Sequence, residues 1–259
     1  MEHKTTSIPD VPPLGRLKGR RILVTGAGSG IGAAIAQLFI AEGAQVAAID
    51  RNEDGIKAWF KAGSAGKSIA LKADIADESS VNDAVKCAAE ALGGIDGLVN
   101  AAGVSNTDLL RDVSLADWKR TIDINLTGSF LMSRACLPWL EKVQNSTIVN
   151  FSSGQGLQPF VRRGAYAASK AGVISLSKTL AMEWAPIRVN TICPGAVDTP
   201  MVRSGYTAEA LQTQVGARYA LGRVAEPIEI ARAALYLTGS ESSFVTGIAL
   251  AVDGGRSYH

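Results

Sequence analysis

The chain has 259 residues, and at about 150 residues per domain this length fits one or two domains. Apolar residues make up 47% of it and charged residues 19%, which supplies a large core and excludes disorder or a coiled coil as the main state. The formal net charge is +2 and aromatic residues make up 6%, so the composition lacks the basic surplus and stacking residues of nucleic-acid binders. We therefore expect no nucleic-acid partner.

No stretch approaches the roughly 20 uninterrupted apolar residues of a membrane helix, so we expect a soluble protein with no membrane partner. The histidines are His3, near the start, and His259, the last residue. A Ser-His-Asp hydrolase would lack its base and a His-based metal site its ligands, so we expect no metal. The scattered cysteines Cys87, Cys136 and Cys193 have no metal-ligand spacing and indicate reduced core thiols of a cytoplasmic protein.

Residues 1–18 contain a Pro12-Pro13 pair and no apolar signal core, so we expect an N-terminal tail before a domain at 19–259. From Arg20 onward, short apolar runs alternate with longer helical stretches, which is typical of parallel βαβ units. Strands are predicted at 22–25, 45–49, 68–71, 97–100, 147–151, 188–192 and 248–251, and helices near 31–42, 52–62, 79–92, 115–142, 165–183 and 227–237. Without linkers or repeats, this order predicts one α/β domain of Rossmann type: a doubly wound, seven-stranded parallel sheet with helices on both faces.

The segment at about 195–225, after the sixth predicted strand, is polar and dotted with glycine and proline. Loops beyond the carboxyl ends of parallel strands are where such folds bind ligands, so this segment is interpreted as a substrate lid. The alternative is a surface excursion without a role in binding.

The first predicted strand leads into Thr-Gly-Ala-Gly-Ser-Gly-Ile-Gly at residues 25–32, and a helix follows. Glycines there permit a tight turn and let backbone N–H groups approach a pyrophosphate at the helix N-terminus. Asp50 ends the second strand, where a carboxylate accepts hydrogen bonds from ribose hydroxyls and repels a 2′-phosphate, which favours NAD over NADP. Two alternatives stay open: Arg51 pairs with that extra phosphate, or Asp50 is only a solvated strand-end charge.

Tyr166 and Lys170 lie four residues apart in the predicted helix after the fifth strand, and therefore on one helical face. A neighbouring ammonium favours the ionised form of a phenol, which makes Tyr166 a plausible general acid and base. A serine hydroxyl at the end of the fifth strand would polarise a carbonyl oxygen, and the three groups suit proton transfer coupled to hydride transfer on nicotinamide. Tyr and Lys one turn apart also occur by chance in many helices, so the glycine turn upstream is what makes the combination specific.

The glycine pattern at 25–32, Asn-Ala-Ala-Gly at 100–103, Asn125, Ser153, the Tyr166-x-x-x-Lys170 pair and Pro194-Gly195 together resemble the short-chain dehydrogenase/reductase family. The resemblance runs from about residue 18 to the end. It implies that Tyr166 is the catalytic acid and base, that Lys170 lowers its pKa and binds the nicotinamide ribose, that Ser153 orients substrate and that Asn125 holds a water in a proton relay. It also implies a cofactor-binding set of Gly26, Ser29, Gly30, Ile31, Asp50, Asp74, Ile75, Asn100, Tyr166, Lys170, Val197 and Thr199.

The same resemblance implies a homotetramer, because family members usually pack their last helices and strand between subunits, and residues 245–255 are similar to that ending. One departure is a short turn at 183–187, between the helix that carries Tyr166 and the sixth strand. It lies away from the expected chemistry and bears on local packing alone.

The substrate pocket is expected between residues 105–112, residues 154–163 and the lid. A guanidinium of Arg162 or Arg163 would bind the carboxylate or sulfonate of an acidic substrate, unless both are solvated. Gln155, Gln158 and Arg203 would likewise hydrogen-bond a polyol or face water.

The favoured function is an NAD-dependent oxidoreductase that interconverts a secondary alcohol, preferably a sugar, polyol or similar small hydroxy compound, and its ketone. One alternative is a 3-oxoacyl-thioester reductase, which would prefer NADPH and is disfavoured by Asp50. The other is a non-catalytic NAD sensor or scaffold. Such a protein is expected to lose Tyr166, Lys170 or Ser153, and all three are present.

Overall fold

The computed structural model describes residues 11–60 and 66–257 and contains a seven-stranded parallel sheet. The strands are β1 Arg21–Thr25, β2 Gln45–Asp50, β3 Ile69–Lys72, β4 Gly97–Asn100, β5 Thr147–Phe151, β6 Arg188–Pro194 and β7 Ala249–Val252. Their order is β3-β2-β1-β4-β5-β6-β7, so the winding direction reverses between β1 and β4. A crevice opens at the carboxyl ends of strands at such a point. The predicted Rossmann-type sheet is confirmed.

Helices cover both faces of the sheet. Along β1, Ile22 and Val24 belong to one core while Leu23 belongs to the other, because successive side chains of a strand point to opposite faces. The helices are α1 Gly30–Ala41, α2 Glu53–Lys57, α3 Glu78–Leu92, α4 Leu115–Ile122, α5 Gly128–Leu140, α6 Gly154–Leu157, α7 Gly164–Glu183, α8 Pro200–Arg203, α9 Ala208–Ala210 and α10 Pro227–Thr238. Helices α1 and α10 pack on one face, and α3, α5 and α7 pack on the other. None of the helices seen in the described parts of the chain is long and apolar enough to cross a membrane.

Two predicted helices differ from the structure. The stretch predicted at 115–142 consists of α4 and α5 joined by a π-helical turn, Asp123–Thr127, which inserts extra backbone into an otherwise continuous helix. The stretch predicted at 52–62 ends at Lys57, and Gly55 inside it weakens helix formation. Residues 61 and 62 of that prediction lie outside the described residues.

The packed domain begins before residue 19, which corrects the predicted extent of the tail. Leu17 is fully buried, and Arg16 forms an ion pair with the buried carboxylate of Glu42 after α1. The backbone N–H groups of Leu14 and Arg16 also donate to that carboxylate. A buried carboxylate needs such partners, so the segment from residue 14 is held against α1. Residues 1–10 of the predicted tail lie outside the described residues.

Residues 195–225, between β6 and α10, form an excursion whose two ends are joined. Val197 pairs with Ala225 in a parallel bridge, and the Ala225 N–H donates to Ala196 O at 3.0 Å. Inside the excursion, Leu211 and Val215 form a small buried cluster with Val224, separate from both sheet cores. We call these residues 195–225 the lid segment.

Candidate active site

A cleft with a volume of 270 Å³ lies at the carboxyl ends of β1, β2 and β4. It is formed by the loops that follow these strands, as the reversal of winding at β1 and β4 predicts. Its lining residues are Gly26, Ser29, Gly30, Ile31, Gly32, Ile49, Asp50, Arg51, Ala73, Asp74, Ile75, Ala101, Ala102, Gly103, Val104, Ile124, Thr199, Pro200 and Met201.

The glycine turn brings three backbone segments into close contact. Gly26 has φ +70°, and a Cβ there would lie 2.7 Å from the Cα of Ala102 in the loop after β4. A Cβ on Gly32 would lie 2.2 Å from Gly26 O. The turn leads into α1, which has no side-chain cap at Ser29 and no acidic residue in its first turn. Its N-terminal N–H groups and positive dipole end therefore suit a pyrophosphate.

Asp50 lies in the cleft and is held by the backbone. Its Oδ2 accepts from Gly28 N–H at 2.9 Å and its Oδ1 accepts from Asn52 N–H at 2.8 Å. A Cβ on Gly28 would lie 2.8 Å from Asp50 Cγ, so the glycine permits this approach. Each oxygen keeps a lone pair for a further donor, such as a ribose hydroxyl. Arg51 lines the same cleft.

Ser153 and Tyr166 meet in a second cavity. Ser153 follows β5, caps the short helix α6 by accepting from Gln155 N–H at 3.1 Å, and lies close enough to the Tyr166 phenol to lower its pKa. The adjacent Ser152 is buried and donates to Lys170 O at 2.7 Å. Of the two serines, only Ser153 lines the cavity among the described residues.

Burial governs the titration of both groups on α7. It raises the pKa of the Tyr166 phenol, while the Ser153 hydroxyl and the Arg163 charge act in the opposite direction. Burial also lowers the pKa of Lys170, whose side chain is almost fully enclosed, to about 8. Lys170 Nζ donates to Phe151 O at 2.8 Å and lies 5.8 Å from the Tyr166 ring centroid. Two cations thus lie near the phenol: Arg163, whose charge lowers the pKa of Tyr166, and Lys170, whose ammonium faces the Tyr166 ring.

Asn125 lies in the π-helical turn and ties the loop after β4 to α7. Its Oδ1 accepts from Val104 N–H at 2.8 Å, and its Nδ2 donates to Val104 O and to Ser169 Oγ, both at 3.0 Å. Both amide donors are thus used by the protein. A Cβ on Gly103 would lie 3.1 Å from Asn125 Oδ1 and 3.3 Å from Lys170 Nζ, so these groups converge at that loop.

Four predicted cofactor residues do not line the cleft: Asn100, Tyr166, Lys170 and Val197. Asn100 is buried beneath it, where its Nδ2 donates to Asn150 Oδ1 at 2.9 Å and to Ser133 Oγ at 3.2 Å. Val197 is buried at the bridge to Ala225. Tyr166 lines the second cavity, and Lys170 Nζ lies next to Gly103 at the edge of the cleft. The other eight predicted cofactor residues line the cleft. Six further lining residues have no predicted role: Ile49, Ala73, Val104, Ile124, Pro200 and Met201. Their only sequence signal is that they lie near the residues of the motifs.

The second cavity has a volume of 430 Å³ and shares Met201 with the cleft. The lid segment contributes much of its wall, through Met201, Val202, Tyr206, Val215, Arg218 and Tyr219. Gln155, Arg162 and Arg163 line it as the sequence suggested, whereas Arg203 pairs with Asp198 at 2.5 Å and lies outside the lining. Gln158 is likewise outside the lining. Ser153, Tyr166 and the lid segment thus line one and the same cavity.

A family model described as Enoyl-(Acyl carrier protein) reductase matches residues 26–257. Among curated relatives, a trans-4-hydroxycyclohexanecarboxylate dehydrogenase of Sinomonas cyclohexanicum is 41% identical over 253 residues, 93% of this chain and 94% of its own. The 2,5-dichloro-2,5-cyclohexadiene-1,4-diol dehydrogenase LinX of Sphingobium indicum is 37% identical over 93% of this chain and 98% of its own. A 3-oxoacyl-[acyl-carrier-protein] reductase FabG of Thermotoga maritima is 39% identical over 93% of this chain and 98% of its own.

A solved structure of a short-chain dehydrogenase/reductase described as glucose/ribitol dehydrogenase, from Brucella melitensis, superposes with a TM-score of 0.86 at 35% identity. The match covers 94% of this chain and 99% of that one. The family model, the relatives and the solved structure thus indicate the same family over nearly the whole length of the chain. The order of the motifs in the sequence indicates that family too. The chain belongs to the short-chain dehydrogenase/reductase family, oxidoreductases that act on CH–OH donors with a nicotinamide cofactor.

Proposed function

We propose that this enzyme interconverts a secondary alcohol and its ketone, with the substrate in the cavity that contains Ser153 and Tyr166. The single observation that supports this most is the meeting of these two side chains in a cavity that adjoins the dinucleotide cleft. The cofactor, when bound, supplies the acceptor or donor of hydride at its nicotinamide ring. The chain supplies the remaining groups: the glycine turn and Ser29–Ile31 hold the pyrophosphate, and Asp74 with Ile75 contacts the adenine.

The proton chemistry falls to Tyr166. In alcohol oxidation the ionised phenol removes the hydroxyl proton, and in ketone reduction the neutral phenol donates it. Ser153 donates a hydrogen bond to the substrate oxygen and holds it next to the phenol. Lys170 holds the nicotinamide ribose. The Asn125 side chain ties the loop after β4 to α7, and this keeps Asn125 in position to hold a water in a proton relay.

The test is Tyr166→Phe, assayed by absorbance at 340 nm with polyols, cyclic diols, hydroxy acids and aryl carbinols. We expect turnover to fall by at least about a hundredfold, because general acid–base catalysis contributes about 10²–10⁴-fold. The dissociation constant for NAD should stay nearly unchanged. Tyr236→Phe, an exposed tyrosine on α10, is the matched control. Retained turnover in the Tyr166 variant would contradict the role of Tyr166 as general acid and base.

We further propose NAD as the preferred cofactor. Asp50 presents a fixed carboxylate in the cleft, where it accepts from ribose hydroxyls and repels a 2′-phosphate. Asp50→Ala should shift the ratio of kcat/KM for NAD over NADP towards NADP by at least about tenfold. Asp54→Ala, in the neighbouring helix α2, should leave the ratio as it is. An unchanged ratio in the Asp50 variant would assign the preference to Arg51 or another group.

We also propose that the enzyme is a homotetramer and is located in the cytoplasm. Exposed apolar side chains, Leu115 on α4, Met182 on α7 and the fully exposed Phe244, offer surface for subunit contacts. Cys87, Cys136 and Cys193 are free thiols, as a reducing compartment allows. Sedimentation equilibrium tests the assembly, and a monomer would contradict it.

The 3-oxoacyl-thioester reductase stays as the second candidate, favoured by the similarity to FabG. It predicts NADPH-dependent reduction of an acetoacetyl thioester. The proposed dehydrogenase predicts little activity in that assay.

A further inference from the structure

The substrate cavity has a strongly uneven charge. Four arginines line it: Arg162, Arg163, Arg218 and Arg256. Among the described residues that form its wall, none is an aspartate or a glutamate. Hydride transfer to or from a neutral alcohol needs no such set of cations, so the arginines call for a separate explanation.

These arginines also lack the partners that other arginines of the chain have. Arg21 pairs with Asp96, Arg203 with Asp198 and Arg223 with Glu229. No carboxylate in residues 11–60 or 66–257 forms an ion pair with any of the four cavity arginines. Their charges are therefore left for a ligand or for solvent ions.

Two of the four guanidinium groups are half-buried and held in place. Arg163 immediately precedes α7, and its Nη1 donates to Ser105 Oγ at 2.5 Å. Arg256 follows β7, and its guanidinium lies 4.7 Å from the centroid of the Phe160 ring. Arg162 and Arg218 are more exposed. Stacked or hydrogen-bonded guanidinium groups lose less freedom on binding and present a planar set of donors that matches a carboxylate or sulfonate.

A neutral substrate would displace water from these cations and leave them without a counter-charge, which is unfavourable in a partly enclosed site. An anionic substrate would replace that water with charge-assisted hydrogen bonds. The cavity volume of 430 Å³ is within the range of pockets that enclose small-molecule ligands.

We propose that the substrate carries a carboxylate or sulfonate group, which Arg163 and Arg256 bind while Ser153 and Tyr166 contact the oxygen of its secondary alcohol or ketone. This inference rests on the proposed function and narrows its substrate from small hydroxy compounds in general to hydroxy acids and hydroxy sulfonates.

The first experiment measures binding without turnover. Cyclohexanecarboxylate, smaller linear carboxylates and their neutral carboxamides are titrated into the enzyme saturated with NADH, by calorimetry. We expect the best carboxylate to bind at least about tenfold more tightly than its carboxamide, as a charge-assisted hydrogen bond implies, and to weaken as salt is added. Equal affinities of acid and amide, or no binding of any carboxylate, would overturn the proposal.

Variants then locate the anion site. Arg163→Gln and Arg256→Gln should each weaken carboxylate binding by about tenfold and leave carboxamide binding unchanged. Arg203→Gln, in the lid segment but outside the cavity wall, should change neither affinity. If both ligands weaken equally in the cavity variants, the arginines have only a structural role and the proposal fails.

Turnover separates this proposal from the function on which it rests. A secondary hydroxy acid and its carboxamide are compared as substrates with NAD, and the acid should have a kcat/KM at least about tenfold higher through a lower KM. Equal oxidation of both would retain the dehydrogenase and refute the anion site. Tight carboxylate binding with no oxidation of any alcohol would retain the anion site and refute the dehydrogenase.

Discussion

Lys170 carries a charge that burial disfavours, and its replacement by methionine tests the size of that effect. Its pKa falls from 10.5 to about 8 in the folded chain, mainly through burial. At 1.36 kcal/mol for each pKa unit, the charged side chain lowers the free energy of unfolding by about 3 kcal/mol at neutral pH. Methionine removes the charge but leaves Phe151 O without a donor that now lies 2.8 Å away, which costs about 1–3 kcal/mol.

The pH dependence distinguishes the two effects. Below pH 8, Lys170 is protonated in both the folded and the unfolded chain, so the full penalty applies. Between pH 8 and 10.5 the unfolded chain binds more protons, so the stability of the wild type rises with pH relative to Lys170→Met. The lost hydrogen bond has no such dependence. Between pH 7 and 9.5 the difference in unfolding free energy should shift by about 2 kcal/mol in favour of the wild type.

The assay is urea unfolding of the cofactor-free proteins at pH 7 and pH 9.5, at one fixed protein concentration. Lys178→Met, an exposed lysine on the same helix, is the control, and its difference from the wild type should stay constant within about 0.5 kcal/mol. A Lys170 difference that is independent of pH, or that shifts the other way, would show that burial does not disfavour the Lys170 charge.

Three further predictions concern the glycine turn, Arg188 at the start of β6 and the Tyr166 phenol. Gly32→Ala places a Cβ 2.2 Å from Gly26 O, so we expect destabilisation by about 1–3 kcal/mol in urea and weaker NAD binding in calorimetry; wild-type values would contradict the observed turn. Arg188 is buried and donates to Leu237 O, Gly239 O, Ser242 Oγ and Val245 O, so Arg188→Met should cost at least about 2 kcal/mol, and a smaller loss would mean that these acceptors find other donors. Because burial raises the pKa of Tyr166, initial rates of alcohol oxidation should rise with pH from 7 to 9.5, whereas rates of ketone reduction, which use the neutral phenol, should stay nearly constant; a flat oxidation profile would argue against the phenolate as base.

The parts of the fold and site that the sequence predicted are those encoded locally. A buried strand, a glycine turn and a helix follow one another within about 20 residues, so β1 and α1 are legible from their composition. The same holds for Tyr166 and Lys170, which one helical face brings together. Parallel winding then places the loops after β1, β2 and β4 at one edge, which predicts the cleft without any knowledge of side-chain contacts.

The parts that escaped prediction depend on contacts between distant segments. Arg256 reaches Phe160 across almost 100 positions of the chain, and no local pattern marks either residue as a cavity wall. The π-helical turn at Asn125 is one extra residue in a helical pattern, which periodicity over a long window does not resolve. Burial, which raises the pKa of Tyr166, could not be predicted either, because it depends on the distant segments that enclose the phenol.

The separate apolar cluster of the lid segment has a consequence for how such an enzyme diversifies. Leu211, Val215 and Val224 pack with one another and not with either sheet core, while hydrogen bonding of Leu221 N–H to Gly254 O and the Arg223–Glu229 ion pair tie other parts of the segment to the domain. Substitutions within it therefore alter the wall around the substrate at little cost to the stability of the sheet. Selection for new substrates can therefore change the cavity wall in this segment while the strands that hold the cofactor cleft stay the same.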